Sequence, residues 1–253
     1  MKRLMKRKIT TAAVLLVFAI TGAFCGYRYY TDNILPDKQL DEAFEEQQDI
    51  IDRIRPLRVV SKGSDNTENL LTSCEDVNDD TVGWIYIPDT NIDLPVVQGK
   101  DNDFYLHNGV NGQYNYDLGC PFLDYRCTRD FSGFNSIVYG HHITNHRMFA
   151  DISLFADADF MQQHPEGSLA LKDGVHRVRF FAYLNTYSTA PAYRAVFAAP
   201  QDKNDYISYI FDEAKHTQNL KKEDLGEDTH LLLLSTCTYE FDDARGILVG
   251  IID

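Results

Sequence analysis

The chain has 253 residues, 44% of them hydrophobic and 25% charged, which leaves room for one domain of about 150–200 residues with appendages. Its formal net charge of −14 excludes a nucleic-acid binder, because a phosphate footprint needs a basic face. Such acidity fits a soluble domain working outside a cell, as it fits many cytosolic proteins.

Residues 1–8, MKRLMKRK, carry five cations, and Ile9 to Phe24 follows without a charge. A basic start before an apolar segment at the short end of what spans a bilayer predicts residues 1–27 as a cytoplasmic tail and signal-anchor. The cations before the segment and the acidic chain after it orient the N-terminus inside and the rest outside. A cleaved signal with Thr21-Gly22-Ala23 as its site is the alternative. Lipidation at Cys25 is disfavoured by the bulky Phe24. No second apolar run of this kind follows, so a single anchor is expected.

Asp37 to Leu57 predicts an amphipathic helix. Leu40, Phe44, Ile51 and Ile54 or Leu57 fall near helical spacing, acids crowd the first half, and Pro56 ends it. Val59 to Asp80 is rich in Ser, Asn, Asp and Thr and reads as a linker, or as a second helix around Asn66 to Asp76. Residues 28–80 are therefore expected to be a helical segment with a linker, and 81–253 the main domain.

From Thr81 the pattern becomes that of strands. Trp84 to Ile87 and Ile92 to Val97 flank the turn Pro88-Asp89-Thr90-Asn91. Asn102 to Asn115 is a polar excursion, and Cys120 to Tyr125 and Ser136 to Tyr139 are short strands. Met148 to Phe155 and Asp157 to His164 read as helical pieces. Ser168 to Lys172 and Val175 to Leu184 form a hairpin about Asp173-Gly174. Asn204 to His216 has helical spacing. Leu231 to Leu234, too short a run for a lone helix, reads as a strand buried on both faces with Cys237 at its end, and Gly246 to Ile252 as the next strand. About eight strands with one inserted helix predict a mostly antiparallel β-barrel.

Cys237 and Arg245 then face each other at the ends of adjacent antiparallel strands, a thiol beside a permanent cation. A cysteine nucleophile acts as its thiolate, which nearby cations favour, and it needs a proton donor for the leaving group. His141, just past a strand and behind Gly140, occupies the same kind of position as Cys237 and is the leading donor. His142 and His146 have the i,i+4 spacing of metal ligands on a helix. Ile143 stands where a zincin has Glu, and no carboxylate or cysteine cluster completes a site, so no metal is expected. His107, His164, His176, His216 and His230 read as surface or strand-edge residues. Cys120 and Cys127 read as half-buried small hydrophobes with a local disulfide as the alternative, and Cys74, in a polar stretch, as incidental.

These residues are similar to those of class B sortases, membrane-anchored cysteine transpeptidases of Gram-positive cell walls. Leu233-Leu234-Ser235-Thr236-Cys237 resembles the family's Thr-Leu-x-Thr-Cys, with Leu in place of the first Thr. The resemblance also rests on Val82-Gly83-Trp84-Ile85, Pro95 to Asn102, Phe122-Leu123-Asp124-Tyr125-Arg126 and Ile137-Val138-Tyr139-Gly140-His141-His142, and it runs from about Asp37 to the end. It implies a sortase-like eight-stranded barrel with N-terminal helices and an inserted helix before the nucleophile strand. It also implies Cys237 as nucleophile, His141 as general acid and base, and Arg245 as the cation that holds substrate and oxyanion. Asn102, Leu106, Tyr139, Tyr193 and Ser235 are implied to line the sorting-signal groove. Ser235 shares a strand face with Cys237 by the two-residue period, which supports it independently.

The implied reaction cleaves the C-terminal sorting signal of secreted surface proteins after Thr, through a thioester, and transfers them to a peptidoglycan amine, without a cofactor. One geometric demand follows: His141 and Arg245 must flank Cys237 on opposite sides. A pilin-polymerising sortase, with a protein lysine as acceptor, is the alternative. Pilin enzymes of another class carry an N-terminal lid and a second membrane span, and the sequence has neither. A non-catalytic tethered barrel is disfavoured by the intact Cys237, His141 and Arg245.

Overall fold

The computed structural model describes residue 21, residues 24–56 and residues 70–253. The apolar N-terminal stretch expected to be an anchor lies mostly outside these residues. Among the described residues no helix is long and apolar enough to cross a membrane. Two compact units are present, Met1–Glu45 and Glu46–Asp253.

A π-helical turn, Tyr30–Ile34, leads into α1, Leu35–Ile54. The helix stops just ahead of Pro56, whose ring disfavours helical geometry in the residue before it. In its second half Gln47, Ile51 and Ile54 are buried, and Gln47 Nε2 donates to the Gly119 carbonyl at 3.1 Å. The second helix anticipated around Asn66 to Asp76 is, within the described residues, the single turn α2, Thr72–Glu75. Cys74 on that turn is not incidental. It is fully buried and its thiol donates to the Ile54 carbonyl at 3.2 Å, joining α2 to the end of α1.

Eleven strands follow in the order β1 Thr81–Tyr86, β2 Asp93–Val97, β3 Phe122–Leu123, β4 Asn135–Tyr139, β5 His142–Ile143, β6 Arg147–Met148, β7 Glu166–Leu171, β8 Gly174–Tyr187, β9 Ala214–Thr217, β10 Leu231–Cys237 and β11 Ala244–Ile252. Three further helices are interspersed: α3 Phe104–His107, α4 Ala158–Gln163 and α5 Pro200–Glu213. The main sheet runs β11-β10-β4-β3-β2-β1-β7-β8-β9, and a β8–β11 pairing closes its first eight strands into a barrel. The expected eight-stranded barrel is thus present, with β9 added at the back of β8. Most neighbours are antiparallel, but β4 and β10 run parallel, as do β2 and β3. The inserted helix α5 comes between β8 and β10, the strand that ends in Cys237, as expected, and packs against β8.

The four leucines Leu231–Leu234 are all fully buried. One face of β10 meets the barrel interior while a 3₁₀ segment, Ala150–Ala156, packs over β10 and β11. Burial on both faces is why this strand is continuously apolar rather than alternating. Leucine burial of this kind contributes about 1.5–3 kcal/mol per side chain, which makes β10 a firmly held support for a reactive group.

Candidate active site

β10 sits between β4 and β11, and all three strands bring an end to the same edge of the barrel. Cys237 is in register with Arg245 across the antiparallel β10–β11 pair, and Ser235 is in register with Tyr139 across the parallel β10–β4 pair. Residues in register across a sheet share a face, and antiparallel partners stand about 4.5–5.5 Å apart at Cβ. Tyr139, Ser235, Cys237 and Arg245 therefore present their side chains to one side. The backbone N–H of Gly140 donates to the Ser235 carbonyl at 3.0 Å, which carries the pairing one residue past β4 and delivers His141 to the flank of Cys237 opposite Arg245.

Gly140 is needed for a close approach. A Cβ there would lie 2.5 Å from Cγ of Phe149, a fully buried ring. Gly140→Ala is expected to destabilise the fold by about 1–3 kcal/mol through overpacking and to displace His141. Denaturant unfolding with parallel peptide-cleavage assays checks this, and an unchanged midpoint with unchanged activity would refute it.

The Nε2 atom of His141 lies 2.8 Å from the carbonyl oxygen of Leu106, in α3. A carbonyl only accepts, so Nε2 carries a proton and Nδ1 is the nitrogen that can gain or lose one. Arg245 donates to the Ala244 carbonyl at 3.0 Å and pairs with Asp243 at 3.1 Å, leaving other N–H groups of its guanidinium for a ligand. The second oxygen of Asp243 accepts from the Ser188 hydroxyl, and this bond together with Arg245 holds the Asp243 carboxyl below its ordinary range.

A groove of about 620 Å³ runs across this edge, and Cys237, His141, Arg245, Ser235, Tyr139, Asn102, Leu106 and Tyr193 all line it. Every site residue named from the sequence is thus gathered into one depression. Tyr193 and Ser235 share a hydrogen bond of 2.8 Å, and the Tyr193 ring stacks on Tyr139 with centroids 5.8 Å apart. Burial pushes the Tyr193 hydroxyl up to about 12, so it is neutral and keeps its proton to donate.

The other cysteines are differently placed. All five are free, and the alternative disulfide between Cys120 and Cys127 is not formed. Burial pushes the Cys74 thiol up to about 12, Cys127 up to about 11, and Cys120 further up. Their thiols donate to backbone carbonyls and pack as small hydrophobes, Cys127 to Asn135 at 3.3 Å. His142 and His146 lie on and beside the β5–β6 hairpin rather than on a helix, so their i,i+4 spacing does not make one face. His146 pairs with the buried Asp151, which also accepts from the Asn91 N–H at 2.8 Å and so ties this hairpin to the β1–β2 turn.

The chain is 31% identical over 246 residues to Sortase B of Listeria monocytogenes serovar 1/2a, a match covering 96% of this chain and 94% of that protein. The chain belongs to the class B sortases. It is, accordingly, a cysteine transpeptidase of the sortase family. Among solved structures it is similar to Sortase B of Clostridium perfringens, at 29% identity and a TM-score of 0.66, covering 71% of this chain and 97% of that one. It is also similar to the sortase B from the Type II pilus of Streptococcus pneumoniae, at 31% identity and a TM-score of 0.60, covering 70% and 95%. No family model matches the chain.

Sequence reasoning missed several parts of this sortase groove. Arg126, Arg194 and the segment Ser188-Thr189-Ala190-Pro191 also line it. Arg126 had a local signal, an Asp-x-Arg pair just after a strand, whereas the 188–191 segment had none: it reaches the groove because β8 continues to Tyr187, three residues beyond its expected end.

Proposed function

We propose that Cys237 is the nucleophile, His141 the general acid and base, and Arg245 the cation that stabilises the oxyanion. What supports this is the strand order β4-β10-β11, which sets an imidazole and a guanidinium on either flank of a half-buried thiol at the mouth of one groove. The Cys237 thiolate attacks the carbonyl carbon of a Thr in a sorting peptide, and the C=O electron pair moves onto an oxygen facing Arg245. Arg245 cannot deprotonate, so it stabilises that charge without competing as a base. Collapse of the intermediate breaks the C–N bond, His141 Nδ1 gives its proton to the departing amine, and a thioester remains on Cys237. An incoming amine loses its proton to the same nitrogen as it attacks, and the new amide leaves.

The substrates are surface proteins with a C-terminal sorting signal, and the acceptor is a peptidoglycan amine. The enzyme works at the cell surface, held by one N-terminal anchor within residues 1–27, with residues 28–80 as a helical segment and linker and 81–253 as the catalytic unit. The test is incubation of the protein with a library of quenched sorting peptides, with and without an added amine. Cleavage after Thr is expected, accelerated or diverted by the amine, and reduced about 10²–10³-fold in Arg245→Ala. Full activity in that variant would remove Arg245 from the mechanism.

A pilin-polymerising role is the second reading, favoured by the similarity to a sortase from a pilus. Offering a lysine-bearing pilin peptide beside a wall-type amine in one competition assay separates the two, by which adduct accumulates.

A further inference from the structure

The groove residues Asn102, Arg126 and Tyr139 converge on a carboxylate that stands behind them. The Asp124 side chain, just past β3, is 0% exposed. Its Oδ2 accepts from Asn102 Nδ2 at 2.9 Å, from the Tyr139 hydroxyl at 2.9 Å and from Arg126 at 2.6 Å. Its Oδ1 accepts from the Nε and the backbone N–H of Arg126, each at 2.9 Å. Burial pulls the carboxyl up, but the hydrogen bonds from Arg126, Asn102 and Tyr139 outweigh it and hold it below the usual carboxylate range.

The circuit extends across the groove. Arg126 also donates to the Tyr193 carbonyl at 3.2 Å, and Tyr193 stacks back on Tyr139. Asp124, Tyr139, Tyr193 and Arg126 thus form a closed ring joining the strand floor to the loop on the far side. Asn102 is fixed at both ends of its amide, since its Oδ1 accepts from the Tyr125 N–H at 3.1 Å. One N–H of its Nδ2 is taken by Asp124, which leaves the other for a ligand.

We infer that Asp124 is a positioning residue for peptide recognition: it orients Asn102, Tyr139 and Arg126 and, through Arg126, sets the distance between the floor of the groove and the Tyr193 loop. The inference rests on the reading of this groove as the sorting-signal site. An ionised carboxylate with only donors around it fixes every partner's orientation, whereas an amide at the same place would turn one N–H against another donor. Asp124 touches neither the thiol nor the imidazole, so its effect falls on binding.

The test measures affinity for a cleavable sorting peptide on the full-length Cys237→Ala background, and steady-state kinetics and the rate of Cys237 alkylation by iodoacetamide with the thiol intact. Asp124→Asn is expected to weaken peptide binding and raise KM about tenfold, with kcat within about threefold and alkylation at the wild-type rate. Arg126→Gln, at a half-exposed position, should give part of the same loss, and the double variant should be no worse than Asp124→Asn alone. Unchanged affinity in a folded Asp124→Asn protein would overturn the proposal. A parallel fall of kcat, alkylation and thermal stability with KM unaltered would do so too, by showing a merely structural role. If Asp124→Asn does not fold, Arg126→Gln decides, with unaltered affinity counting against. Because affinity is read without the thiol, failure of wild-type cleavage would sink the catalytic reading and leave this test standing. Absence of any peptide binding would sink both.

Discussion

Cys237→Ala is expected to stop cleavage of a sorting peptide altogether, and no peptide adduct should then be found on the protein by mass spectrometry. The wild-type chain, mixed with peptide and no amine, should show a mass increase on Cys237 equal to the acyl part of the peptide. The size of the effect follows from the inventory of thiols. Cys74, Cys120 and Cys127 are buried, with their thiols pushed up and hydrogen-bonded to carbonyls, so none of these three can take over. Fold stability should barely move, since Cys237 is only half-buried at the end of its strand. Residual turnover in Cys237→Ala, or an adduct on a different cysteine, would refute the assignment.

His141→Ala should lower kcat for an amide substrate about 10²–10⁴-fold, the usual worth of a positioned acid and base. The physical demand is specific to the leaving group. An amine cannot depart as its anion, so it needs a proton as the C–N bond breaks. An alkoxide leaves far more readily. Replacing the scissile amide by an ester should therefore shrink the penalty of His141→Ala markedly, while leaving that of Cys237→Ala complete. Equal penalties on amide and ester would show that His141 does not protonate the leaving group. His142 should not substitute for it: burial lowers its pKa, and its ring rests edge-on against Tyr239.

Much of this arrangement was legible in the sequence because it was written in long apolar runs. Leu231–Leu234 read as a doubly buried strand and the polar stretch before Ala244 as a return loop, which put Cys237 and Arg245 at facing strand ends. His141 followed from a strand ending in Gly140. The short elements were harder to see. The helix expected over Asn204 to His216 is observed over Pro200–Glu213, starting on a proline suited to the first turn. It hands over without a gap to β9, Ala214–Thr217, whose alternating burial over four residues is too brief to register as a strand. The segment expected to be helical from Met148 begins instead at the end of β6, because Asn145 and His146 adopt positive φ to turn the β5–β6 hairpin and Met148 pairs with His142. Asp124 and Arg126 lie in the Phe122-Leu123-Asp124-Tyr125-Arg126 stretch, but their partners Tyr139 and Tyr193 are distant in sequence, and no local pattern records a contact made only when the barrel closes.

The parallel pairing of β4 with β10 has a consequence for when the protein becomes reactive. Residue 141 and residue 237 are brought side by side by strands that share no hairpin, and residue 245 joins them on a strand that must also seal the barrel against β8. Such distant pairings form late and slowly, since loop-closure entropy is spent before any contact is gained. A half-folded chain would lack the groove that these three residues line together, so any chemistry that needs all three waits on the final closure.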